Sequence, residues 1–167
     1  MAKLTHYGTG GRVKMVDVSA KPATTRTAKA HAFIRINAAA LRQIRRLKLP
    51  KGDPLEIARI AGIAAAKRTP ELIPLCHPLP LTHMDVNTRV CQNGIEITSQ
   101  VTVTAPTGVE MEALTAAAVA ALTIYDMCKA LDRGMEITEI YVVEKRGGRS
   151  GHYARPTKRG RGSRGRG

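Results

Sequence analysis

Hydrophobic and polar positions along this chain switch between two periods. Ala32, Ile34 and Ile36 alternate with His31, Phe33 and Arg35, the period of a half-buried strand. Asn37 then stands where a helix N-cap is expected, ahead of Leu41, Ile44 and Leu47 at helical spacing. A second helix has fuller punctuation. Asp53 can cap it, Pro54 suits its first position, and Glu56 would complete a capping box. Ile57, Ile60, Ala61 and Ala64 make its apolar stripe, and Thr69-Pro70 ends it. Three prolines then keep residues 72–80 extended and out of a central strand.

Two further strands are expected around Met84, Val86 and Val90, and around Ile95, Ile97, Val101 and Val103. Asn93-Gly94 between them is a hairpin signal. Thr107 and Glu110 form a second possible capping box, opening a helix that runs to about Leu131. Leu114, Ala118, Ala121, Leu122 and Tyr125 share one of its faces. Ile137 to Val143 reads as the last strand. The order predicts an α+β fold: a ferredoxin-like βαββαβ antiparallel sheet with one extra helix and the helices packed on one face. Three regions are expected: an N-terminal loop or extension over 1–30, the ferredoxin-like domain over 31–151, and a basic tail over 152–167.

Composition changes this picture in two places. With one Phe, four Tyr and no Trp, small aliphatic residues must fill the core, so neighbouring elements should approach closely. The net charge of +14 is uneven. Residues 145–167 carry nine Lys or Arg and no acid, leaving only +5 on the rest. The Arg/Gly run from Arg155 is too charged and too poor in apolar residues to pack, and weak nonspecific nucleic-acid binding is expected of it. Three cysteines, Cys76, Cys91 and Cys128, without a Cys-x-x-Cys pair argue against a disulfide framework or a zinc ribbon, and for a reducing, cytoplasmic setting. Lys3, His6, Arg12 and Lys14 interrupt any secretory signal, and the apolar run Ala113 to Tyr125 is too short to span a bilayer, so no membrane association is expected.

Several residues could carry chemistry. His77, fixed between Cys76 and Pro78, can donate and accept a proton near neutral pH; a surface-loop histidine beside a core cysteine is an equal reading of this segment alone. Lys51 precedes a helix N-terminus, where an anion would be welcome, but on its own a solvated turn lysine is the stronger reading. Lys67 continues the stripe of the second helix, which suits either a snorkelling side chain or a phosphate contact. Asp126 and Lys129 are neighbours on one helix face, an ordinary ion pair or an acid/base pair. Glu112 lies fourteen residues from Asp126, about 21 Å along a straight helix, so one pocket using both would have to combine two chains. The run beginning Lys145-Arg146-Gly147-Gly148-Arg149 suits a polyphosphate, although it is not a P-loop.

Taken together, Met15 to Ser19, Lys51-Gly52-Asp53, Ala58 to Ile63 with Ala66-Lys67-Arg68, Leu72 to Pro78, Thr107 to Thr115 and Ala121 to Lys129 resemble the cyclic pyranopterin monophosphate synthases, the family of molybdenum cofactor biosynthesis protein C. The resemblance implies a cytoplasmic lyase. It would convert (8S)-3',8-cyclo-7,8-dihydroguanosine 5'-triphosphate to cyclic pyranopterin monophosphate and pyrophosphate. It implies a homohexamer, a trimer of dimers with sites between subunits. By similarity, Asp126, Lys129 and Lys51 are catalytic, and Leu75, Cys76, His77, Met111, Glu112, Lys67 and Arg26 bind substrate. No metal site or cofactor is implied, save that Mg²⁺ could ride on the substrate phosphates. Arg146 and Arg149 stand where similar sequences tend to have Ser and Lys. The competing expectation is an RNA-binding module, which shares the βαββαβ order and would need base-stacking aromatics on its first and third strands.

Overall fold

The computed structural model describes residues 9–46 and 52–156. Five strands form one sheet: β1 (Thr24–Arg35), β2 (Leu81–Val90), β3 (Gly94–Ala105), β4 (Glu136–Arg146) and the two-residue β5 (Tyr153–Ala154). Their order is β2-β3-β1-β4-β5, and every neighbouring pair is antiparallel. The helices are α1 (Ala38–Arg45), α2 (Pro54–Lys67), the single turn α3 (Thr69–Leu72) and α4 (Glu110–Cys128). The first four strands thus have the ferredoxin-like order, with β1 at the centre.

Strand alternation sorts the sheet into two faces. Ala28, Ala30, Ala32 and Ile34 of β1 and Ile95, Ile97, Val101 and Val103 of β3 are buried beneath the helices. Ser99 shares that buried phase, and its hydroxyl donates to the Ala113 carbonyl of α4 at 2.7 Å, so the one polar side chain in the row is satisfied. The opposite face is a ladder of polar pairs: Thr27 with Thr102, Thr25 with Thr104, and Arg89 with Glu96. Each fully buried Ile or Leu, such as Ile34, Leu41, Ile97 and Ile124, contributes on the order of 2 kcal/mol.

Helix starts follow their caps at two places. Asn37 Oδ1 accepts from the Ala40 amide, and Asp53 Oδ1 accepts from the Leu55 amide with Pro54 in the first turn. Glu56, expected to close a box with Asp53, grips Arg59 through both carboxylate oxygens. The expected box at Thr107 and Glu110 does not form. Val109 precedes α4 without a side-chain cap, and Glu110 is drawn to Lys145 of β4 at 2.7 Å.

Other expectations need correction. The loop expected over 1–30 gives way at Thr24, where β1 begins, and the expected tail over 152–167 begins with β5. Arg155 donates its amide to the Val143 carbonyl and lays its guanidinium over the Tyr141 ring. Leu47 and residues 157–167 lie outside the described residues. The face of α2 was misplaced: Ile57 and Ile60 are exposed, and Pro54, Ala58, Gly62, Ala65 and Ala66 are buried. On α4, Leu122 is 57% exposed, and the packed face is Ala113, Ala116, Ala117, Ala120, Ala121 and Ile124. The hairpin at Asn93-Gly94 is present, but neither residue takes a positive φ. Gly94 is there because a β-carbon would press on the Ile34 carbonyl and the Phe33 ring. At 19 residues α4 is longer than its expected apolar run, and by length and composition it could cross a membrane; its inner face is instead occupied by the sheet and α2.

Candidate active site

The end of the sheet where β3 leaves and α4 begins is not covered by a helix. Two cavities meet there, of about 350 Å³ and about 760 Å³, and Lys21 and Thr107 line both.

The inner cavity lies between the extended segment Leu75-Cys76-His77 and the first turn of α4, which supplies Glu110, Met111 and Glu112. The prolines around His77 hold that segment against the helix end. Glu112 is only 3% exposed. Burial pushes its carboxyl up from the ordinary value; a backbone hydrogen bond opposes this, and the nearby Glu110 charge adds to it. The same burial raises the Cys76 thiol, and the Glu112 charge reinforces it. Cys76 is therefore a protonated wall residue rather than a thiolate nucleophile. Glu110 is neutralised by Lys145.

The outer cavity is cationic. Lys21, Arg26 and Arg149 line it with Thr24, Gly148 and Ser150. Arg26 reaches it from β1, its Nε donating to the Ala105 carbonyl at 2.9 Å. The strand brings Arg26 there because even-numbered positions of β1 face the helices, and at this end α4 has not yet begun.

Leu75, Cys76, His77, Met111 and Glu112 thus share one cavity and Arg26 the adjoining one. Lys67 is exposed and lines a separate hollow with His83, which touches the inner cavity only through Leu79. Asp126 and Lys129 are paired at 2.7 Å, exposed, near the far end of α4. Lys51 lies outside the described residues. A single chain does not bring Asp126, Lys129 and Lys67 to the cleft that holds Glu112. Sequence reasoning missed Lys21 and Glu110 as cleft residues and reached Arg149 only as part of a longer run. Lys21 sits in an irregular segment with no pattern around it; Glu110 had a competing explanation as a cap; only the basic, Gly-rich run signalled Arg149. Among the described residues, no three His, Cys, Asp or Glu gather as they would around a metal ion.

An RNA-recognition module would stack bases on the open faces of β1 and β3. There β1 offers Phe33 and a His31 already stacked on Tyr141 of β4, and β3 offers no aromatic side chain, only Glu96, Thr98, Gln100, Thr102 and Thr104. The fold and cleft instead define a ferredoxin-like α+β protein with a small-molecule cleft, acidic and apolar at one end and cationic at the other. The chain belongs to the MoaC family, whose model matches residues 15–148. It is 54% identical over 157 residues to the cyclic pyranopterin monophosphate synthase of Thermomicrobium roseum, covering 93% of this chain and 95% of that one. The protein of the same name from Desulfitobacterium hafniense is 53% identical over 154 residues, 92% and 94% of the two chains. That from Methylobacterium sp. is 56% identical over 156 residues, 92% and 98%.

Proposed function

We propose that this chain is a cyclic pyranopterin monophosphate synthase of molybdenum cofactor biosynthesis. It takes (8S)-3',8-cyclo-7,8-dihydroguanosine 5'-triphosphate and releases cyclic pyranopterin monophosphate and pyrophosphate. The observation that supports this best is the polarity of the cleft, read beside the family. A buried acid, a histidine and apolar walls stand at one end, and three cations at the other. A purine-derived ring joined to a triphosphate has the same division.

The ring end lies against Leu75, Cys76, His77, Met111 and Glu112, and the phosphates lie toward Arg26, Lys21 and Arg149. Ring rearrangement needs groups that give and take protons beside the reacting carbons. Closing the cyclic phosphate is an attack by a substrate hydroxyl on the α-phosphorus with pyrophosphate leaving, and fixed cations stabilise the charge that develops. Asp126 with Lys129 carries the proton transfers, and Lys51 with Lys67 the charge. Magnesium, where it takes part, enters on the substrate phosphates.

Asp126 stands fourteen residues beyond Glu112 on one helix, about 21 Å along its axis, so the complete site joins two subunits. The assembly is a hexamer, a trimer of dimers, in the cytoplasm. Ile57 and Ile60 of α2 and Leu122 of α4, apolar side chains left exposed on the outer helix faces, favour burial between copies. Incubating the purified chain with the cyclised nucleotide should yield a pterin and pyrophosphate in equal amounts. Release of neither, from folded protein and intact substrate, would refute the assignment.

A further inference from the structure

Three glycines in the loop after β4 have positive φ: Gly147 at 93°, Gly148 at 72° and Gly151 at 65°. All three are strained for an L side chain. Only two of them are also short of space. A β-carbon on Gly147 would collide with the Thr25 carbonyl and stand 3.2 Å from Arg26 Cα, so the loop lies directly on the β1 backbone. A β-carbon on Gly148 would stand 2.6 Å from Arg26 Cζ and 3.0 Å from Nη2, and nearer still to Nη1. Around a β-carbon on Gly151 none of the described residues lies within 4 Å.

We propose that Gly147 and Gly148 are positioning residues for Arg26, presenting a bare stretch of backbone on which its guanidinium lies. The inference rests on the reading of the outer cavity as the phosphate end. Among the described residues Arg26 has one polar anchor, the bond from Nε to the Ala105 carbonyl. A single bond leaves the guanidinium plane free to turn about it. The Gly148 backbone supplies the second restraint, a flat surface with no side chain to lift the group away. With Nε committed, the Nη edge remains for phosphate oxygens, the fork geometry that makes arginine a bidentate anion ligand. An arginine held this way loses little freedom on binding, which is what a site for a flexible polyphosphate requires.

The test titrates inorganic tripolyphosphate into the full chain by calorimetry and follows turnover of the cyclised nucleotide. Arg26→Ala and Gly148→Ala should each weaken tripolyphosphate on the order of tenfold and raise KM more than they lower kcat. The double variant should bind no more weakly than Arg26→Ala alone, because the glycine then has nothing to position. Gly151→Ala imposes the same kind of backbone strain and should keep parental affinity. Should Gly148→Ala fail to fold, Arg26→Lys retains the charge without the flat fork and should lose affinity comparably; parental affinity in that variant would overturn the proposal. Affinity in Gly148→Ala equal to that in Gly151→Ala, with Arg26→Ala weakened, overturns the positioning role and leaves the phosphate end intact. Additive losses in the double variant also overturn it. Parental affinity in Arg26→Ala overturns both readings.

Discussion

Gly62 of α2 faces the Ala116 carbonyl of α4 so closely that a β-carbon on residue 62 would stand 2.8 Å from that oxygen. Ala120 and Val86 close the other sides at 3.3 Å. The two helices touch almost backbone to backbone, and that contact holds α4 at the height where its first turn meets the cleft. In an exposed helix Gly→Ala would add about 0.5–1 kcal/mol of stability. At Gly62 the sign reverses: Gly62→Ala should destabilise by about 1–3 kcal/mol, a fall in Tm of several degrees. An unchanged or raised Tm in thermal denaturation would show that the helices are more loosely seated.

Glu112 should make stability depend on pH in an unusual direction. Its folded-state carboxyl is raised above the ordinary 4.5, mainly by burial. In the window from that value up to the raised one, the folded chain holds a proton that the unfolded chain has lost. Stability contributed at this position is therefore greatest below the window and falls as pH climbs through it. Glu112→Gln removes the buried charge. Its Tm should exceed that of the parent at neutral pH, and the gain should fade as the pH drops through that window, to be gone by about pH 4. Turnover should fall by roughly a hundredfold in the same variant. Parallel melting curves for variant and parent across this range would contradict the burial argument.

What the sequence displayed was contrast, and it misled where contrast was weak. The β3 alternation was plain because Ile and Val face inward against Thr and Glu, and the caps at Asn37 and Asp53 are local chemistry. The faces of α2 and α4 were misread because bulk was taken for burial. In a core of alanines the packed face is the small one, and Ile57, Ile60 and Leu122 stand outside it. The first half of β1 was missed for the same reason, since its inward residues are Ala28 and Ala30. The Leu75-Cys76-His77 segment and the Glu112 turn were legible as chemistry, but Lys21 and Arg149 enter the cleft only once β1 and β4 are side by side. The failed cap at Glu110 belongs here too: its partner, Lys145, is thirty-five residues away.

A shared site makes a prediction about mixtures. Asp126→Asn alone should bind substrate and turn over at a small fraction of the parental rate, and Glu112→Gln should be nearly as slow. Co-refolded mixed oligomers should regain activity, because some pockets then take an intact Glu112 from one chain and an intact Asp126 from the other. Kinetic assay of such mixtures, with mixing verified by mass, decides the matter. No recovery would place both residues in pockets built from one chain.

The C-terminal end divides at Pro156. Deleting residues 157–167 removes Lys158, Arg159, Arg161, Arg164 and Arg166 and should leave Tm and turnover unchanged while weakening salt-sensitive retention on nucleic acid. Deleting from His152 also removes β5, the Arg155 bond to Val143 at 2.8 Å and its contact on Tyr141. That larger cut should lower stability by about 1–3 kcal/mol. Equal Tm values for the two truncations would show that β5 contributes nothing.

The outer cavity is lined from residues 20–26, from Pro106 and Thr107, and from residues 148–150; the first and last of these lie more than a hundred positions apart and meet through the pairing of β1 with β4. A chain emerging from the ribosome therefore carries one wall of this cavity early, but cannot complete the other until residue 150 has been made. Completeness of this cavity thus reports that synthesis has passed residue 150, and a chain terminated before that point would keep the inner cavity but lack the Arg149 wall of the outer one.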